Sequence, residues 1–340
     1  MDKPKDYLLK KDNTGSSEVR EHNNLGVLLQ MEGDLKGAKA EYQAALEIDP
    51  QNATALNNLG FIHAQEEDFA EAIRYYQRAI EIDPERSTTF ANLGNARAAQ
   101  GDLNGGIQDL INAIEIDPKN TLAWDNLGKV YLVTGCLTEA EATWRAALEI
   151  EPARADLLTS LGTVVAVQQR LTEAVEILYR AVNSDPGSAK AWAQFGVVLF
   201  MRKDMGSARD ALKRSLAIEP GDTSVRYNLS MVLLACGDAE GAKKELEHIL
   251  ILEPENMSAQ LDMGVLLLSR KEFDNALLFF DSVLKSDASN KRALYYRAMV
   301  LDQLGMKKEA VEILKALSIE ACDKYAEWAY QYLNETSKND

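Results

Sequence analysis

The chain has 340 residues, of which 46% are hydrophobic and 26% are charged, and its formal net charge is −16. An acidic surface repels phosphate backbones, so nucleic acid is not expected as a partner. No segment approaches the roughly 18 apolar residues of a membrane span, and residues 1–13 lack the apolar core of a secretory signal. Three cysteines, far apart along the chain, fit free thiols in a reducing compartment better than a disulfide framework. We therefore expect a cytoplasmic protein without membrane insertion.

The prolines divide the chain into equal lengths. Seven of the eight recur at intervals of 34 residues, namely Pro50, Pro84, Pro118, Pro152, Pro186, Pro220 and Pro254. A fixed period of this size indicates one supersecondary unit copied along the chain, which predicts a solenoid with long surfaces rather than enclosed pockets.

In chain order, residues 1–18 are charged and contain Gly15, Ser16 and Ser17, which predicts a flexible lead-in. Nine units follow over residues 19–324. They begin at Val19, Ala53, Ser87, Thr121, Ala155, Ala189, Thr223, Met257 and Lys291.

Each unit is predicted to be a helical hairpin. Its apolar residues fall at repeat positions 4, 7, 8 and 11 and then at 20, 24 and 27, which is helical spacing and not strand alternation. A turn residue such as Gly33 or Gly101 separates the two sets, and the proline ends the second helix. The unit is therefore a helix A, a tight turn and a helix B. Position 8 is glycine in most units, and we expect it to face the small residue at position 20.

The fourth unit carries almost the whole signature of a known repeat, in Trp124, Leu127, Gly128, Tyr131, Ala140, Trp144, Ala147 and Pro152. This pattern resembles the tetratricopeptide repeat family. The resemblance implies an all-α, right-handed superhelical solenoid of antiparallel helix pairs, with the A helices along its concave side. Trp124, Trp144 and Trp192 are expected in the core. A stripe from Tyr325 to Leu333 predicts a C-terminal capping helix over residues 325–335, followed by a tail at 336–340.

A row of polar side chains is the strongest candidate for function. Position 6 is mostly an amide-bearing residue, in Asn24, Asn58, Asn92, Asn126, Gln194 and Asn228. Asparagine is a mediocre helix former, and its carboxamide can both donate to and accept from a ligand's peptide group. The row is similar to the asparagine ladder in the tetratricopeptide domain of O-GlcNAc transferase, which implies binding of an extended peptide. The alternative is that these asparagines tie helix A to a neighbouring turn.

In the later units the same side of helix A becomes apolar. Candidate partner-binding residues there are Phe200, Tyr227, Met231, Leu268 and Tyr295. An apolar strip rimmed by polar groups is typical of an interaction site, although these side chains could instead pack between successive A helices. Together the rows predict a groove with a polar early zone and an apolar late zone.

No residue pattern indicates catalysis, a cofactor or a metal. His22, His63 and His248 occupy unrelated repeat positions, and none has a Cys or a second His at metal-ligand spacing. We predict a non-enzymatic scaffold or adaptor that binds a peptide or protein segment in the concave groove. Two alternatives are a substrate-recruiting subunit of a separate enzyme and a self-associating structural scaffold.

Overall fold

The computed structural model describes residues 17–319 and 324–336, and every regular element within these ranges is an α-helix. Contacts group the chain into two compact units, residues 1–184 and residues 185–340. The predicted all-α class and the pairing of successive helices are confirmed.

The described part of the first unit contains five helix pairs. In chain order its helices are α1 (Ser17–Glu32), α2 (Leu35–Ile48), α3 (Ala53–Gln65), α4 (Phe69–Ile82), α5 (Ser87–Gln100), α6 (Leu103–Ile116), α7 (Thr121–Val133), α8 (Leu137–Ile150), α9 (Ala155–Val167) and α10 (Leu171–Ser184).

The described part of the second unit contains four helix pairs and one further helix. These are α11 (Ala189–Met201), α12 (Met205–Ile218), α13 (Thr223–Ala235), α14 (Ala239–Leu252), α15 (Met257–Ser269), α16 (Phe273–Ser286), α17 (Lys291–Gln303), α18 (Lys307–Ile319) and α19 (Lys324–Thr336). Odd-numbered helices up to α17 are A helices, and even-numbered ones are B helices.

The observed helix starts agree with the predicted repeat starts from Ala53 onward, while α1 begins at Ser17, two residues before Val19. The predicted lead-in therefore lies outside the described residues except for Ser17 and Glu18, which are helical. The predicted capping helix lies within α19, and the predicted tail lies outside the described residues beyond Thr336.

Side-chain caps recur at fixed repeat positions before many of the helices, whereas α5, α8, α9 and α16 begin without one. The carboxylate of Asp34 accepts a hydrogen bond from the Gly37 N–H at 2.9 Å, and Asp238 caps Gly241 in the same way at 2.8 Å. Where an A helix has a side-chain cap, the capping residue directly precedes the helix. Before α3, for example, the Asn52 side chain accepts a hydrogen bond from the Ala55 N–H at 3.0 Å. Such a cap satisfies a backbone donor that the helix itself cannot pair.

The turn between helices A and B uses a left-handed backbone conformation in every unit. Five units place glycine there, for instance Gly101 with φ +99°, while the other four place Glu67, Gln169, Lys203 and Lys271 there, with φ between 60° and 68°. Only glycine adopts this region without steric cost. All nine units therefore share the same turn geometry, although only five of them have glycine, the residue that suits it best, at this position.

The glycine at position 8 makes room for a large side chain, which corrects the expected contact with position 20. A Cβ added to Gly128 would lie 2.5 Å from Trp144 Cε2, and one added to Gly60 would lie 2.7 Å from Tyr76 Cε1. Both rings stand at position 24. At Gly94 and Gly196 the expected contact is also present, because the carbonyls of Gly106 and Ala208 at position 20 lie 2.8 and 3.2 Å from the added Cβ.

The tryptophan prediction is correct for one residue of three. Trp144 is fully buried, but Trp124 and Trp192 are only partly buried. Their indole N–H groups donate to the Pro118 and Pro186 carbonyls at 2.9 and 3.0 Å. These two tryptophans thus cover the proline turn that precedes their helix, whereas Leu56 and Leu158 at the same repeat position are fully buried.

Candidate protein-interaction face

The A face is the side of the A helices that carries repeat positions 2, 5, 6, 9, 12 and 13. In the first unit α3 contacts α5, and α5 contacts α7. In the second unit α11 contacts α13, α15 contacts α17, and α17 contacts α19. Where neighbouring A helices touch in this way, equivalent side chains lie in rows on that unit's A face.

The asparagine row of the first unit is unevenly exposed. Asn24 is exposed, Asn92 and Asn126 are partly exposed, and Asn58 is buried with 6% of its surface exposed. Asn24 and Asn126 make no side-chain hydrogen bond to the described part of the chain. Their carboxamides are therefore unpaired within the described residues and accessible to solvent, whereas that of Asn58 is buried.

Asn58 and Asn92 belong to a chain of amide hydrogen bonds that crosses from α3 to α5. Asn92 Nδ2 donates to Asn57 Oδ1 at 3.1 Å, and Asn57 Nδ2 donates to Asn58 Oδ1 at 3.3 Å. Asn58 also interacts with the buried Tyr42 hydroxyl, whose pKa is raised above its usual value by burial. Asn58 is thus bonded within the protein to helical residues rather than to a neighbouring turn, and Asn92 is partly exposed.

Polar residues at position 5 bind within the protein. Asn23 Nδ2 donates to Asn52 Oδ1 at 3.2 Å, which joins α1 to the residue that caps α3. Asp125 is buried, accepts from the Trp144 indole at 2.9 Å and pairs with Lys129 Nζ at 2.6 Å. These side chains hold the A helices in place and present little to a partner.

In the second unit, Gln194 and Asn228 continue the amide row, and both are partly exposed. Neither forms a side-chain hydrogen bond to any residue that the structure describes. The next member of the row is Asp262, which is buried. At this repeat position a buried carboxylate therefore replaces the partly exposed carboxamides of the two preceding A helices.

The apolar residues of the second unit are divided between packing and solvent. Phe200 and Met231 are partly exposed. Tyr227 and Leu268 pack against the core formed by α14–α17, and Tyr295 packs against the core formed by α17–α19. Each of the five predicted side chains keeps some exposed surface.

A charged network that the sequence pattern did not reveal crosses three A helices. The Tyr227 hydroxyl donates to Asp262 Oδ2 at 2.7 Å, and Arg292 Nη2 donates to Asp262 Oδ1. Burial raises the pKa of Tyr227 to about 12, and the hydrogen bond to Asp262 acts in the same direction. The sequence pattern that could have indicated this network is Asp262 at position 6, where most other units carry an amide, followed 30 residues later by Arg292 at position 2.

No group of three or more His, Cys, Asp or Glu residues that could hold a metal ion occurs in the described ranges. No helix within residues 17–319 and 324–336 is both long enough and apolar enough to cross a membrane.

Tandem helix pairs in a 34-residue phase, joined by tight left-handed turns, define a tetratricopeptide repeat protein. The sequence model described as the Cilia and flagella-associated protein 70 C-terminal domain matches residues 1–263. The chain therefore belongs to that family. A general tetratricopeptide repeat model also matches residues 292–318.

Solved structures share the fold. PilF of Pseudomonas aeruginosa is 25% identical with a TM-score of 0.55, over 62% of this chain and 97% of that one. A chain of the Cut9–Hcn1 hetero-tetramer of the APC/C is 16% identical with a TM-score of 0.60, over 83% of this chain and 58% of that one. No curated protein matches the chain significantly. Folds of this class typically provide extended surfaces for protein–protein interaction.

Proposed function

We propose that this chain is a non-enzymatic scaffold that holds an extended segment of a partner protein against its A face. The family name further supports a place for it in a cilium- or flagellum-associated assembly. Repeat folds of this type bind along a surface rather than in a closed pocket, which favours a polypeptide over a small molecule.

The observation that carries the proposal is the row of exposed or partly exposed carboxamides at one repeat position. Asn24, Asn92 and Asn126 repeat this group along the first unit's A face. Adjacent helices lie about 8–10 Å apart, and an extended chain advances about 3.3 Å per residue. One carboxamide could therefore bind roughly every third peptide group, whatever the ligand's side chains are.

The partly exposed Phe200 and Met231 supply a different chemistry in the second unit. Phenylalanine and methionine offer apolar contact area, and methionine adapts its shape to irregular surfaces. We expect the A face of the second unit to contact ligand side chains, whereas that of the first unit contacts mainly the ligand backbone.

Replacement of Asn24 and Asn126 by Ala tests the proposal. Each lost hydrogen bond is worth about 0.5–1.5 kcal/mol, so the double variant should bind an array of extended peptides about tenfold more weakly. Its melting temperature should stay unchanged, because neither side chain bonds to the described part of the chain. The readout is fluorescence of the labelled protein on the array, followed by titration of the strongest peptides.

The matched control is the Gln43→Ala/Gln77→Ala double variant, which removes two exposed carboxamides from the B helices α2 and α4. It should bind like the unmodified protein. Equal weakening by both double variants, or no peptide binding by the unmodified protein, would contradict a site on the A face. Asn58→Ala should instead lower the melting temperature, because its side chain is buried.

The assembly context has a separate test. A fluorescently tagged copy of the chain, expressed in ciliated cells, should concentrate in cilia or at their base. Uniform staining of the cell body, with no ciliary enrichment, would contradict the cilium-associated role and leave the peptide-binding role standing.

A further inference from the structure

An open cleft of about 390 Å³ lies between α17 and α19 in the second unit. Its lining consists of Tyr295, Tyr296, Trp328, Gln331 and Tyr332. Four of the five are aromatic, and all five carry a polar group that can form hydrogen bonds. This composition differs from the apolar strip on the rest of the second unit's A face.

The rings beside the cleft form one connected aromatic cluster. The Trp328 ring lies 5.6 Å from that of Tyr295 and 5.5 Å from that of Tyr325, and the second pair is nearly perpendicular at 87°. Trp328 is nevertheless 38% exposed. Packed neighbours therefore fix the orientation of the indole while leaving part of it open to a ligand.

One cation already lies against these rings. Lys324 Nζ is 5.0 Å from the Tyr325 ring centroid and 5.7 Å from that of Trp328. The face of an aromatic ring carries negative potential and attracts an ammonium or guanidinium group. Lys324 is exposed, so another cation from solvent can compete for its position.

The charged groups of α17 and α19 include carboxylates as well as cations. Arg292 on α17 is paired with the buried Asp262 carboxylate, which compensates its charge. Asp302 is hydrogen-bonded to Tyr332, and Glu327 is exposed on α19.

We propose that this aromatic cleft binds a lysine or arginine side chain of a basic partner segment, which replaces Lys324 on the Tyr325 and Trp328 rings. Lys324 then acts as an intramolecular competitor that lowers the affinity of the cleft for basic peptides. The inference rests on the proposed function at one point: Tyr295 belongs both to the cleft and to the A face.

Fluorine NMR of the protein labelled with fluorotryptophan tests this directly. The chain has four tryptophans, and Trp328→Phe identifies the Trp328 resonance by its loss. Titration with an acetylated Gly-Lys-Gly-Lys-Gly amide should shift that resonance and leave the other three in place. The same peptide with acetyl-lysine in place of lysine should produce no shift, because it has lost its charge.

Lys324→Gln should tighten binding of the lysine peptide about twofold to fivefold, which corresponds to one exposed cation–π contact of about 0.5–1 kcal/mol. Lys315→Gln, which removes an exposed lysine from α18, is the matched control and should leave the affinity unchanged. Because Lys324 is exposed, this test does not depend on a variant that disrupts the core.

Three outcomes would overturn the inference: no shift of the Trp328 resonance, an equal shift with the acetyl-lysine peptide, or an unchanged affinity in Lys324→Gln. The Trp328 resonance reports on the cleft alone, while the Asn24→Ala/Asn126→Ala variant reports on the first unit's A face. Failure of one proposal is therefore distinguishable from failure of the other.

Discussion

At the scale of single residues, the contact between positions 8 and 24 determines how closely helices A and B approach. Gly128 faces the fully buried Trp144, and Gly264 faces the fully buried Phe280 in the same way. A large ring fills the space that glycine leaves, and the helix tolerates the roughly 1 kcal/mol propensity cost of that glycine. The requirement for glycine is steric and comes from the opposite helix.

Gly128→Ala should therefore destabilise the protein, because the new Cβ would lie 2.5 Å from the Trp144 ring. Overpacking of this kind costs about 1–3 kcal/mol, which chemical denaturation can measure. Gly206→Ala in α12 is the control, since its Cβ would meet nothing within 4 Å. Gly206→Ala should be neutral or slightly stabilising, because alanine is the better helix former. No loss of stability in Gly128→Ala would contradict the steric requirement.

Trp144 and Trp124 should differ in their contributions to stability. Trp144→Ala removes a fully buried ring and its hydrogen bond to Asp125, and should cost about 3–5 kcal/mol in the free energy of unfolding. Trp124→Ala should cost less than half as much, because that ring is partly exposed over the Pro118 turn. Equal losses would contradict the difference in burial.

At the scale of elements, the turns between paired helices carry strain in four units. Gln169 has φ 66° and Lys203 has φ 68°. For a residue with a side chain this region costs about 1–2 kcal/mol. The strain is tolerated because the turn must close the pair in the same geometry as in units that have glycine there.

Gln169→Gly and Lys203→Gly should each raise the free energy of unfolding by up to about 1 kcal/mol, since relief of strain exceeds the entropy cost of glycine. Gly135→Ala is the reciprocal control. It has φ 78° and open space around it, so it should destabilise through strain alone. Denaturant midpoints would reveal the signs, and destabilisation by the glycine variants would show that the turns are unstrained.

The Tyr227–Asp262–Arg292 network connects elements that are not consecutive in the chain. Arg292→Ala would leave the Asp262 carboxylate buried without its cation, which should cost about 3 kcal/mol. The exposed pair of Arg74 and Glu71 provides the control, and Arg74→Ala should cost less than about 1 kcal/mol. Comparable losses in thermal melts of the two variants would contradict a special role for the buried network.

At the scale of the whole molecule, both units contain tyrosines whose hydroxyl pKa values are raised above the ordinary value. Burial raises the pKa of Tyr42 and Tyr76 in the first unit and that of Tyr332 in the second. Tyr227 is raised to about 12. In the unfolded chain these groups ionise near pH 10, so above that pH the unfolded state loses protons that the folded state retains.

The contribution of these tyrosines to stability should therefore be constant below about pH 10, and stability should fall as the pH rises toward about 12. Circular dichroism melts over this range, combined with tyrosinate absorbance, would measure the effect. Tyrosinate should form at the ordinary pH for exposed tyrosines, and only together with unfolding for the buried ones. Full tyrosine ionisation in a protein that remains helical would contradict the burial of these hydroxyls.

The repeating local features were predictable because they depend on residues close together in sequence. The 34-residue proline interval, the caps such as Asp34 and the paired helices follow from helical periodicity and backbone chemistry, which act within a few residues. The tetratricopeptide class was therefore determined by the sequence alone. The left-handed turns at Gln169 and Lys203 were harder to predict, because glutamine and lysine rarely adopt a positive φ.

Only the tertiary structure decided which members of a row are available to a partner. Asn24, Asn58 and Asn126 occupy the same repeat position, yet Asn58 is buried against Tyr42 while the other two are not. The Asp262 network and the cleft beside Trp328 likewise bring together side chains about 30 or more residues apart. Exposure and charge pairing depend on such distant neighbours, and a residue's position within a repeat does not specify them.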